Sequence, residues 1–158
     1  MFMGALKGVA GTSDRELTEE THRVLDQALR YFREAAPKHT ADEEESLFPR
    51  LRRMSNPELQ AALEQLDALE KDHRWAGPLH ADVERLGGKY LNEGRLSPDE
   101  AQVFRNSVHQ LDAMYKRHID VEDREVFPIA ERVLPPQTKT EIAREMAERR
   151  GVRAVASL

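Results

Sequence analysis

Hydrophobic residues recur three or four positions apart through most of the chain, the spacing of helices that bury one face. The clearest amphipathic stretches cover residues 17–32, 59–86 and 103–115. The pattern predicts an all-α protein, built as an antiparallel helical bundle in which neighbouring helices share one apolar core.

Capping and breaking residues divide these stretches into helices. Signals for a helix start or break are Ser13 with Glu16, Pro37, Asn56-Pro57 and Ser97-Pro98. The first pair fits a capping box and predicts a helix start near residue 14, and Pro37 predicts a kink or a restart. A bend is a candidate at Gly77-Pro78. A loop is predicted over residues 91–97 and a short closing helix over 137–150.

One sequence pattern occurs twice. Residues 39–49 read HTADEEESLFP, and residues 118–128 read HIDVEDREVFP. On a helix, residues four apart lie on one face, about 5–6 Å apart at Cβ. His39 with Glu43, and His118 with Glu122, can therefore each form half of a site for iron, manganese or zinc. Two half-sites that face each other across a bundle complete such a site.

The simpler explanation of either copy alone is an ion pair on the surface of a highly charged helix. Two copies, each followed at the same offsets by an acid and Phe-Pro, favour the metal-site interpretation. Glu44 and Asp123 follow the two candidate glutamates and point about 100° away on a helix, so they are predicted to be surface acids or acids that support the ligands from behind.

Further candidate ligands lie on the middle helix. His73, within EKDHRW, is predicted to complete the site from a neighbouring helix, and its alternative is a surface or capping group. His80 follows seven residues later on the same face, about 10 Å further along the helix axis. It is a candidate ligand, with a core imidazole close to the site as its alternative.

Tyr115 lies seven positions before Glu122 on the same helix face. It is a candidate to hydrogen-bond a ligand or to line the small-molecule pocket, and its alternative is a core tyrosine with its hydroxyl at the rim. His22 and His109 are out of reach or out of phase with the two half-sites, and they are predicted to be surface residues.

Composition narrows the function. The 158 residues are 34% charged and carry a net charge of −5, which argues against nucleic acid as the main partner. Cysteine is absent, so thiol ligands and thiol catalysis are excluded. No apolar run or leader suggests a membrane partner or export, so a cytoplasmic protein is expected. We expect a single domain over residues 1–158, with a core over 14–135.

The segments HTADEEESLFP, EKDHRW and YKRHIDVEDREVFP resemble those of the hemerythrin-like, HHE cation-binding proteins. The resemblance spans roughly residues 25–135. It implies a four-helix bundle that holds two irons bridged by carboxylates. The implied ligands, with the glutamates as the bridges, are His39, Glu43, His73, His118 and Glu122.

One feature departs from the family pattern, which has another ligand histidine on an earlier helix. Only residues 1–10 remain for that helix here, and they contain no histidine. The expectation is a shortened first helix, or a truncated start, and one metal rather than two. Such a gap would expose Leu25, Leu29 and Phe32, which predicts a symmetric homodimer with residues 1–10 near the contact.

The resemblance favours a non-enzymatic protein that binds iron and dioxygen or another small ligand, or that senses or stores iron. Manganese and zinc are the alternative metals. A di-iron oxidase or peroxidase is a second hypothesis, although ferritin-like enzymes use Glu-x-x-His, not His-x-x-x-Glu. A third is a helical interaction bundle with a vestigial metal site.

Overall fold

The computed structural model describes residues 2–152, with side chains from Met3 onward. Met1 and residues 153–158, which the expected single domain includes, lie outside this range. Within it the chain is helical and contains no strand, so the predicted all-α class is confirmed. None of the helices between residues 2 and 152 is both long and apolar enough to cross a bilayer.

The α-helices of the described chain are α1 (Phe2–Gly11), α2 (Glu19–Glu34), α3 (Ala36–Ala41), α4 (Phe48–Arg53), α5 (Gln60–Glu93), α6 (Pro98–Val121), α7 (Phe127–Val133) and α8 (Pro136–Arg149). Two π-helical segments interrupt them: π1 (Asp42–Leu47) joins α3 to α4, and π2 (Glu122–Val126) joins α6 to α7. A single 3₁₀ turn, Pro57–Leu59, precedes α5.

Most predicted helix boundaries are confirmed. Pro37 lies in the first turn of α3, a restart rather than a kink. Asn56 caps its helix through a 2.9 Å bond from the Glu58 amide to Oδ1. Ser97 and Glu100 form a reciprocal capping box at 3.2 Å in each direction. α5 continues through Gly77-Pro78 and ends at Glu93, three residues later than predicted.

The predicted start of α2 is wrong. The helix begins after Thr18, whose side chain accepts a hydrogen bond from the Thr21 amide at 3.2 Å, while Thr21 Oγ1 accepts one from the Thr18 amide at 3.0 Å. Ser13 is buried and donates to the Ala10 carbonyl at 2.8 Å. Its hydroxyl therefore completes the end of α1, and Thr18 caps α2 instead.

The first of two compact units contains the chain up to Ala35 together with Asp72–Arg117. Its core includes Tyr90, whose hydroxyl donates to the carbonyls of Thr12 and Arg15 at 3.1 Å each. The other residues of this apolar cluster are Met3, Leu6, Val9, Ala10, Leu25, Ala28, Leu29, Ala76, Val83, Leu86, Leu96, Ala101, Phe104, Val108, Leu111 and Met114.

The expected gap beside α2 is not present. α1 contacts α2, and Leu6 lies in the same apolar cluster as Leu25 and Leu29, which are at most 1% exposed. Phe32 is partly buried against that cluster. The first helix is short, as expected, but ten residues are enough to cover these side chains. The homodimer stays a prediction for sedimentation to test, without this argument to support it.

The second compact unit contains Ala36–Lys71 together with the chain from His118 onward. Its apolar cluster draws on α4, the first part of α5, π2, α7 and α8, and the 3₁₀ turn. The cluster consists of Phe48, Leu51, Leu59, Leu66, Leu69, Val126, Ala130, Leu134 and Ile142. The closing helix predicted over 137–150 is confirmed as α8, which contacts π1.

Gly87 and Gly88 provide a test of packing in the first unit. A Cβ at Gly87 would lie 2.9 Å from Cδ2 of the buried Leu29, whereas one at Gly88 would meet no described neighbour within 4 Å. Gly88→Ala should raise the free energy of unfolding by about 0.5–1 kcal/mol through helix propensity. Gly87→Ala should be at least about 1 kcal/mol less stable than Gly88→Ala, because overpacking offsets that gain. Urea unfolding measures both, and equal stabilisation by the two substitutions would contradict the packing described here.

Candidate metal centre

Both copies of the repeated pattern contain a π turn, which the sequence did not predict. The Phe48 amide donates to the carbonyl of Glu43, and the Phe127 amide to that of Glu122, five residues back instead of four. A proline follows each phenylalanine. Since proline has no N–H and its ring clashes with the carbonyl four residues earlier, the α-helical ladder cannot pass through it unchanged. A wider turn before the proline accommodates the break.

In the second copy, the histidine and the glutamate lie next to each other, as their spacing predicts. His118 Nε2 lies 2.9 Å from Glu122 Oε1 and 3.8 Å from Glu43 Oε2. The side chains of His118, Glu122 and Glu43 are 4%, 7% and 15% exposed. One buried imidazole is therefore flanked by a carboxylate from π1 and another from π2.

The electrostatics of this group favour a cation. Burial is the main cause that raises the pKa of Glu122 to about 7; the His118 imidazole opposes this shift and the carboxylate of Glu43 adds to it. The 2.9 Å contact with His118 lacks hydrogen-bond geometry, so Glu122 Oε1 accepts no hydrogen bond from the described residues although it is buried. A buried carboxylate oxygen without a donor, beside an imidazole nitrogen, fits a metal ligand.

His73 lies in α5, within the first unit, and its role as a ligand stays a prediction. In the second unit, three of the five side chains implied by the resemblance, Glu43, His118 and Glu122, lie close to one another. Imidazole nitrogens and carboxylate oxygens are the donors that suit iron, manganese or zinc.

His39 is placed differently from His118, its equivalent in the repeated pattern. It lies in α3 and is exposed, whereas His118 is buried. The role of His39 as a ligand stays a prediction.

His80 and Tyr115 form a hydrogen-bonded pair in the first unit. His80 Nε2 lies 2.6 Å from the Tyr115 hydroxyl, and the ring of Phe32 lies 4.9 Å from the imidazole. Burial lowers the pKa of His80, which favours the neutral imidazole. For His80 to bind a metal through Nε2, this hydrogen bond would have to break. The ligand role of His80 and the pocket-lining role of Tyr115 both stay predictions. His22 and His109 are exposed, as predicted.

A buried acid next to Glu43 was missed by the sequence analysis. Asp42 is 5% exposed and pairs with Arg149 at 2.9 Å and with Arg150 at 2.7 Å. In the sequence, Arg149-Arg150 indicates only the end of a helix. The run Asp42–Glu45 is likewise typical of a solvated acidic face. No local pattern indicates which of these acids is buried or which cations reach it.

Comparison with known proteins agrees with the motifs. The family model described as the hemerythrin HHE cation binding domain matches residues 3–130. A protein of Haemophilus influenzae, described only as uncharacterized, is 30% identical over 136 residues, which cover 86% of this chain and 73% of that protein.

The metal-free protein should lose stability as pH rises through the neutral range. Below about pH 4.5, Glu122 is protonated whether the chain is folded or unfolded; between 4.5 and about 7, only the unfolded chain ionises. The free energy of unfolding therefore falls over that interval and levels off above pH 7.

Glu122→Gln removes the ionisation, so the variant should be more stable than the unsubstituted protein at pH 8, by on the order of 1–3 kcal/mol. The difference should shrink toward pH 5. Urea unfolding at several pH values measures it, with Glu125→Gln, at an exposed acid of the same π2 segment, as the control. A difference that does not change with pH would contradict the assignment.

Proposed function

Because the chain belongs to the hemerythrin HHE cation-binding domain family, we propose that it binds a metal ion through Glu43, His118 and Glu122, with His73 as the further ligand that the family resemblance implies. The observation that carries this proposal is the buried contact of Glu122 with His118, beside Glu43. Two carboxylates buried this close to one imidazole are costly to hold together. A divalent cation would compensate that cost.

We propose iron as the resident metal. The donors are nitrogen and oxygen, a set that iron, manganese and zinc all accept, and the family resemblance favours iron. We propose occupancy nearer one metal per chain than two, which metal counting tests. Bound iron would supply a coordination position for dioxygen or another small ligand.

Metal binding would require particular protonation states of the ligand side chains. A ligand carboxyl must be ionised and a ligand imidazole must offer a free lone pair. Glu122, whose pKa lies near 7 in the metal-free protein, therefore gives up its proton when the metal binds. Burial of His118 and Glu122 keeps water away from their ligand atoms. Metal uptake should consequently strengthen as pH rises toward 7.

Metal analysis of protein purified without a histidine tag tests the proposal. Glu43→Ala, His118→Ala and Glu122→Ala should each lower metal affinity by more than about tenfold, because even partners that only support a ligand contribute 10–100-fold. Asp123→Ala is the matched control, since this exposed acid directly follows Glu122. An equal loss in the Asp123 variant, or a metal-free wild type after iron reconstitution, would contradict the proposal.

The binding of a small ligand is tested separately. Iron-loaded protein exposed to dioxygen should develop an absorbance band that disappears when oxygen is removed. Sustained oxygen consumption with a reducing substrate would instead indicate an oxidase or peroxidase. A protein that takes up iron but changes its spectrum with neither oxygen nor another small ligand would restrict the function to storage or sensing of the metal.

A further inference from the structure

Helix α8 lies outside the family match, which ends at residue 130, yet it contacts π1. π1 begins with Asp42 and Glu43, so α8 reaches the segment that carries a proposed metal ligand. The family match does not explain this contact between α8 and π1, whereas the side-chain interactions of the two segments do.

The first connection is at Asp42, directly before Glu43. Arg150 holds its carboxylate at both oxygens, 3.2 Å to Oδ1 and 2.7 Å to Oδ2, and Arg149 adds a bond of 2.9 Å to Oδ1. Such two-point contacts fix orientation as well as distance. Since Asp42 is 5% exposed, removing the arginines would leave a buried charge without a partner.

The second connection is at Ser46, three residues after Glu43 and fully buried. Its hydroxyl accepts a hydrogen bond from Arg149 Nη2 at 2.7 Å and donates one to Glu145 of α8. Arg50 bonds Glu145 at 2.7 Å and the Ser46 carbonyl at 3.0 Å. The Arg50 guanidinium, with Ser46, lowers the pKa of Glu145 to about 2, so this carboxylate stays charged.

These contacts lie on both sides of Glu43, within one π turn. π turns are rare and occur mostly as single turns inserted in α-helices, so surrounding contacts are needed to hold one in place. We propose that α8 is a clamp: Arg149 and Arg150 hold π1 in its wide turn and thereby keep the Glu43 carboxylate in position to bind metal. This inference rests on the proposed metal-binding function. Arg149 and Arg150 are positioning residues in this account, since neither touches the metal ligands.

The test compares substitutions on the two sides of the contact between α8 and π1. Arg149→Gln with Arg150→Gln removes the α8 side, and Asp42→Asn removes the charge on the π1 side. Arg144→Gln is the matched control, since Arg144 is an exposed arginine of the same helix whose ion pair, with Glu148 at 3.9 Å, lies within α8. The double variant also loses the hydrogen bond from Arg150 to the Met146 carbonyl, which is not a contact with π1. Asp42→Asn leaves that bond in place, so it tests the clamp even if the double variant does not fold.

Two measurements are made on the full chain. The first is the rate at which Co²⁺-loaded protein gives up its metal to a chelator. The second is hydrogen exchange at the Phe48 amide in the metal-free protein, because that amide makes the π1 hydrogen bond to Glu43. We expect the clamp variants to release metal at least about tenfold faster than Arg144→Gln. Exchange at Phe48 should also be faster in those variants.

Release rates within about twofold of the control would overturn the clamp, as would faster exchange without faster release. A wild type that binds no metal would overturn the proposed function instead. In that case equal exchange rates at Phe48 would still overturn the clamp independently of any metal.

Discussion

The lack of a backbone N–H at two prolines determines the backbone geometry of both copies of the repeated pattern. Pro49 and Pro128 cannot donate to the carbonyl four residues earlier, and each lies in the first turn of a new helix, α4 or α7. The chain widens into a π turn before each proline, and the amide of the preceding phenylalanine bonds the carbonyl of Glu43 or Glu122. The backbone of each proposed glutamate ligand is thus tied to the proline that ends its turn.

Buried charge is the second constraint, and the two neighbouring acids of π1 meet it differently. Asp42 is neutralised by Arg149, the last residue of α8, and by Arg150, its C-cap, so its negative charge is balanced within the protein. Glu43 instead lies 3.8 Å from His118, close to the second buried carboxylate, Glu122. The chain thus pairs Asp42 with two cations but holds Glu43 beside a carboxylate and an imidazole, which distinguishes a structural acid from a candidate ligand.

The individual helices and one half-site follow from the sequence, because their signals are local. The caps at Asn56 and Ser97 involve residues two or three apart, and His118 meets Glu122 across one turn. A local capping signal is misleading where the capping side chain bonds a different backbone group. Ser13 with Glu16 matched a capping box in the sequence, but the Ser13 hydroxyl bonds the Ala10 carbonyl at the end of α1, and Thr18 caps α2.

Tertiary structure decided which of the equivalent residues in the two copies of the pattern are buried. His39 and His118 hold the same position in the repeated pattern, yet only His118 is buried; Phe48 is buried, whereas Phe127 is 37% exposed. The arginines that hold Asp42 come from 107 and 108 residues away. The sequence by itself determined the helices and which side chains could bind a metal, since both depend on spacing along one helix. Only packing determined which of them are buried and paired, because burial depends on what the rest of the chain places against each face.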